Sequence, residues 1–189
     1  MRQTKPRWYV VFPLSIGLAL CATSGYTASL RSDAYQAYIR RDFDSALQLY
    51  HEAADYSGCG MVFLALNLPD EAIEYFRQGK DGSGMGLCYL KKKEYQSALD
   101  VFSGKRDDRG LGLTYLALRE DKRAEEAFSR ALQLDAEQEE AHFGLARVFR
   151  DKTPSDNPKA LAAYLNVLRF SWDEARRSEA ITWIGILSR

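Results

Sequence analysis

Gly84-Met-Gly-Leu-Cys-Tyr-Leu-Lys-Lys-Lys-Glu-Tyr-Gln-Ser-Ala-Leu-Asp-Val-Phe102 reads as a helix, a short polar turn and a second helix. The rest of the chain repeats this stretch. Its Ala98-Leu99 pair has counterparts at Ala46-Leu47, Ala72-Ile73 and Ala124-Glu125, and successive alanines stand 26 residues apart. An aromatic follows each alanine by four: Tyr50, Phe76, Phe102 and Phe128. A small residue precedes each by twelve: Ala34, Gly60, Gly86 and Gly112. A fixed step of this length is the mark of stacked supersecondary units, each too small to bury its own apolar face.

The 189 residues suffice for one domain or one short solenoid, and a 46% hydrophobic content supports a sizeable core. Basic and acidic side chains balance at 26 each, which argues against nucleic acid as a partner, because phosphate binding needs a basic excess. The balance hides a segregation. Residues 1–20 hold Arg2, Lys5 and Arg7 and no acid, so the remainder carries 23 basic against 26 acidic side chains.

That basic start precedes an apolar run of 13 residues, Trp8 to Leu20, followed by small and polar residues. This is the pattern of a bacterial secretory signal over residues 1–24. The run is short for a membrane span, which needs about 20 residues, and Pro13 disfavours a straight helix. Leu18-Ala19-Leu20-Cys21 resembles a lipoprotein signal, which implies lipidation of Cys21 and an outer-membrane anchor facing the periplasm. Leu20 departs from the small residue that pattern has before its cysteine. Cleavage after Ala22-Thr23-Ser24, giving a soluble periplasmic protein, is the alternative, and an uncleaved signal anchor the third.

The units follow in order. Unit one places Ala34, Ala37 and Tyr38 on one helical face, has Arg40 to Asp44 as its turn, and opens its second helix at Asp44-Ser45. In unit two Pro69 sits just inside a helix start, where its missing N–H is harmless. Unit four resembles a tetratricopeptide repeat: Gly112, Tyr115, Ala124, Phe128 and Ala131 stand at that family's spacings. Ala146 and Phe149 keep the family's 34-residue step from Gly112 and Tyr115, and Pro158 to Tyr164 is similar to Sel1-like repeats. The resemblance implies an all-α solenoid of five helix-turn-helix repeats over residues 30–169. The 26-residue steps are about two helical turns short of the family period, which predicts shorter helices in units two and three. Ser171-Trp-Asp-Glu174 has the form of a capping box and starts a C-terminal capping helix over residues 170–189.

Catalytic and cofactor motifs are incomplete, so no catalytic residue, cofactor or metal is assigned. Asp81-Gly-Ser-Gly-Met-Gly86 lacks the lysine of a phosphate loop and the strand of a dinucleotide loop, and its glycines read as close helix contacts. His51-Glu52-Ala-Ala-Asp55 approaches a helical zinc motif without its second histidine. Cys59 and Cys88 remain after either cleavage; they are a candidate disulfide or two small core residues.

The tetratricopeptide resemblance implies a protein partner, held on the surface of the first helices. The positions that match are Tyr35 and Tyr38 in unit one, Met61 and Leu64 in unit two, Leu87 and Leu90 in unit three, and Leu113 and Leu116 in unit four. Arg109, Arg147 and Arg150 stand at the edge. An apolar surface of this kind suits a helix or other apolar segment of a partner. The expected function is a non-enzymatic scaffold in the bacterial envelope, for assembly of an envelope, pilus or export complex. Self-association through the solenoid ends, near Trp172 and Trp183, and a small cell-wall enzyme are the alternatives.

Overall fold

The structure, a computed structural model, describes residues 24–151 and 157–188. Among these residues there are eleven α-helices and no strand, an all-α arrangement. The chain falls into two compact units, Met1–Cys88 and Tyr89–Arg189.

The first unit holds α1 (Ser24–Ile39), α2 (Phe43–Glu52), α3 (Tyr56–Ala65), α4 (Pro69–Gln78) and most of α5 (Gly82–Lys91). Helices α1 and α2 pack as one hairpin and α3 and α4 as the next, with α2 against α3. The second unit holds α6 (Tyr95–Lys105), α7 (Asp108–Ala117), α8 (Asp121–Leu134), α9 (Glu139–Arg150), α10 (Asn157–Phe170) and α11 (Glu174–Leu187). Here α7 pairs with α8, α9 with α10, and α11 lies on α10. The short step has the effect its length implies. Helices α3, α4 and α5 have 10 residues each and α6 has 11, whereas α8 and α10, in the longer steps, have 14.

Each repeated aromatic is a wedge between helices. Phe76 is buried on α4; a Cβ on Gly60 would lie 2.7 Å from its ring and one on Gly84 2.4 Å. Phe128 is held the same way, between Gly112 at 2.6 Å and Gly144 at 2.3 Å. One glycine belongs to the aromatic's own unit and the other to the next. The alternation of ring and glycine therefore joins hairpins as well as closing them. In the second unit the wedge feeds a continuous core of Ala124, Phe128, Leu145, Val148, Tyr164 and Val167.

The helix ends repeat as strictly as the core. Asp55, Asp81 and Asp107, 26 residues apart, each accept the backbone N–H three residues on, from Gly58, Gly84 and Gly110, at 2.8 to 2.9 Å. These carboxylates satisfy donors that a helix start leaves open. The glycine loop at Asp81 to Gly86 is thus the capped start of α5, with Gly84 against Phe76. Pro69 is the first residue of α4, as its position implies. Two starts differ from expectation. Helix α2 begins at Phe43, capped by Asp42, because the Asp42 carboxylate reaches the Ser45 N–H. Helix α11 is capped by Asp173 through the Arg176 N–H at 3.0 Å, not by Ser171. Ser171 is buried, and its Oγ instead accepts from the Asp173 N–H.

Left-handed residues close the turns at the same step. Arg41, Asn67, Lys93 and Arg119 do so inside units; Ala54, Lys80 and Arg106 do so between them, with φ from 51° to 63°. Side chains beyond glycine are strained there, by roughly 1–2 kcal/mol. Ala54→Gly and Lys80→Gly are each expected to stabilise the fold, by about 0.5 kcal/mol after the added freedom of the unfolded glycine is subtracted. Urea denaturation midpoints check this; a lower midpoint for both would contradict it.

Candidate functional site

On α1 and α3 two side-chain positions of each helix are left outside the buried core. On α1, Ala34 and Ala37 turn inward, which leaves Tyr35 49% exposed and Tyr38 half-buried. The two rings stack at 6.4 Å with a 19° interplanar angle, and Tyr38 also meets Phe43 at 6.0 Å. On α3, Val62 and Phe63 are buried, while Met61 is 36% exposed and Leu64 half-buried. Helices α1 and α3 touch, so the first unit brings these four side chains onto neighbouring helices at the same register. Leu87, at the end of the same unit, is half-buried.

In the second unit Leu90, Leu113 and Leu116 are half-buried, the last two against the core. Arg147 and Arg150 stand 34 residues after Leu113 and Leu116 and so take the same two positions on α9. The three arginines have different surroundings. Arg147 is exposed, its guanidinium 6.0 Å from the Phe143 ring. Arg150 is held at 2.6 Å by Asp151 and at 3.7 Å by Glu179, and lies 4.7 Å above the Trp183 ring. Its hydrogen bond also holds the Asp151 carboxyl below the usual range, against a smaller opposing effect of burial. Arg109 is fixed by Glu140, and by Asp107 at 3.6 Å. Burial works against its charge, but the two carboxylates outweigh that and raise its pKa. Arg176 joins the same group, at 2.5 Å from Glu139 and 3.2 Å from Glu140. Arg109 and Arg150 therefore tie first helices to their neighbours, and Arg147 is the arginine of the three turned to solvent.

The remaining sequence candidates have structural employment. Asp55 caps α3 and pairs with Arg31 at 3.3 Å, while His51 is exposed. Among the described residues no three His, Cys, Asp or Glu side chains gather as a metal would require. Cys59 and Cys88 are both buried in the core of the first unit. Burial, with a smaller push from Asp55, raises the Cys59 thiol to about 12. The thiolate is the reactive form, so Cys59 is expected to resist iodoacetamide at pH 8 in the native protein and to alkylate in denaturant. Mass spectrometry of the 59-containing peptide decides this; rapid native labelling would contradict it. Cys21 and the rest of the leader lie outside the described residues. No described helix is long and apolar enough to cross a membrane.

Sequence reading missed the Asp55, Asp81 and Asp107 caps, the receiving glycines Gly58 and Gly110, and the left-handed turn residues. The 26-residue step that exposed the alanines was also the signal for these.

Residues 110–138 match the family model of the tetratricopeptide repeat. The match falls on α7 and α8, the hairpin in which Gly112 receives Phe128. No curated protein matches the sequence. Among solved structures, a thermophilic tetratricopeptide protein of Thermus thermophilus is similar at a TM-score of 0.69 and 19% identity, covering 84% of this chain and 98% of its own. The pilF protein of Pseudomonas aeruginosa is similar at a TM-score of 0.58 and 16% identity, covering 86% and 89%. At such identities these likenesses show the fold.

Proposed function

We propose that this tetratricopeptide chain is a non-enzymatic scaffold of the bacterial cell envelope that holds a helix or apolar segment of a protein partner on its first helices. One observation carries the reading: Tyr35 and Met61 occupy the same register on touching helices and are exposed although apolar. Exposed apolar side chains in a contiguous set mark contact surfaces, and side-by-side helices offer a groove for a partner helix. Tyr38 and Leu64 supply the floor.

The test is a pull-down from detergent-solubilised membranes with wild type and with the double variant Tyr35→Ser, Met61→Asp. Both side chains are exposed, so the variant keeps its fold. Loss of two central contacts is expected to lower recovery of specific proteins about tenfold or more. Recovery of the same proteins in the same amounts would count against the groove.

The envelope assignment rests on the leader sequence. In this reading Cys21 carries the lipid, and because α1 already begins at Ser24 the repeats are held close to the membrane. A lipidated amino-terminal cysteine with several acyl chains gives stable anchoring. Cys21→Ala then releases the protein from membranes or leaves its precursor unprocessed. A wild-type protein that starts at Gly25 in the soluble fraction would remove the anchor and leave the scaffold.

A further inference from the structure

The repeat register runs on into α11 after one shift. Ala160 and Tyr164 stand 36 residues after Ala124 and Phe128, and Ala180 stands 36 after Gly144. Gly144 is where Phe128 of the preceding second helix lands, and Ala180 is buried in the core cluster that contains Tyr164. Helix α11 therefore occupies the place of a first helix. The same step puts Ile181 at the position of Leu145, Thr182 at that of Ala146 and Gly185 at that of Phe149. On α9, Leu145 is 8% exposed and Ala146 is fully buried, in the core that α9 shares with α10. On α11, Ile181 is 59% exposed and Thr182 and Gly185 are exposed; a Cβ on Gly185 would meet nothing within 4 Å. This face has the form of a seat for a second helix, and no second helix among the described residues covers it.

Charge says what fits the seat. The two arginines of α11 are engaged inward: Arg176 with Glu139 and Glu140, and Arg177 with the carbonyls of Leu168 and Ser171. Glu174 is exposed, and Glu179 is 41% exposed beside Arg150. The outward charge is acidic. We infer that this face takes, in trans, a basic amphipathic helix of a partner protein. Such a helix lays an aromatic, with a small residue four before it, over Ile181, Thr182 and Gly185, and its cations face Glu174. A second copy of the chain would bring the same acidic charge, which disfavours it. Helix α10 displays the required chemistry: Ala160 and Tyr164 on its buried face, Lys159 and Arg169 as its charges, and no acid. None of these residues belongs to the Tyr35–Met61 surface, so the two readings fail separately.

The probe is a capped, fluorescent peptide with the sequence of residues 157–170, titrated with the full chain. Saturable binding is expected, weakened about tenfold by Thr182→Arg in the protein, and likewise by glutamate in place of both peptide cations. Ile181→Glu repeats the first effect at a neighbouring position. These side chains are exposed, so both variants should keep the wild-type thermal midpoint. Absent binding, or equal binding by wild type and Thr182→Arg, would overturn the inference. So would a wild-type dimer in sedimentation that Thr182→Arg dissolves, which would seat a second copy there.

Discussion

Phe128→Ala is expected to destabilise the second unit by about 3–5 kcal/mol, the usual cost of removing a buried aromatic. The ring is fully buried, and glycine backbones approach it from two helices, at Gly112 and Gly144. Its removal opens space between α7, α8 and α9 at once. Those helices are held at their separation by other contacts, among them Ala131, Leu145 and Ala146, so the space closes only in part. Urea denaturation followed by far-ultraviolet circular dichroism gives the number. Hydrogen exchange should show protection lost first in α7 to α9, because repeat units are stabilised by their nearest neighbours. A loss below about 1 kcal/mol would mean that the ring is not the wedge between units.

Gly110→Ala is expected to destabilise by about 1–3 kcal/mol, although alanine is the better helix former by nearly 1 kcal/mol. A Cβ there would lie 2.2 Å from Cδ1 of Phe102, a distance real Cβ contacts do not reach. Phe102 is itself fully buried and cannot swing aside. The matched control is Gly104→Ala on α6, where the new methyl meets nothing within 4 Å. That change should stabilise by about 0.5–1 kcal/mol through propensity alone. Opposite signs from one chemical substitution separate packing from backbone effects. Equal signs would show that the glycines of the wedge are not sites of close approach.

The fold was legible because one period governs several kinds of residue. The alanines, aromatics and small residues were enough to place the hairpins, and the shortened step foretold the ten-residue helices. Details set by a single hydrogen bond were not legible at α11. Ser171 and Asp173 both precede the helix at plausible offsets, and burial of Ser171 decides for Asp173. The pairing of Cys59 with Cys88 was open for a similar reason. Their spacing permits a contact, but disulfide geometry depends on side-chain direction, which sequence does not give. The arginines of the site were the least legible. Arg109, Arg147 and Arg150 look alike in sequence, yet Glu140 fixes the first from 31 residues away and Asp151 fixes the third from the next position. Neither distance along the chain signals which arginine stays turned to solvent.

The central claim is that partners dock on the first-helix face. A photo-crosslinking amino acid placed in living cells at Tyr35 or Met61, and separately at Glu74 or Gln78 on α4, tests it most directly. All four positions are exposed, so each tolerates the probe. The account predicts one adduct of the same mass from Tyr35 and Met61, and none of that mass from Glu74 or Gln78. Adducts from the α4 positions alone, or from all four equally, would contradict it.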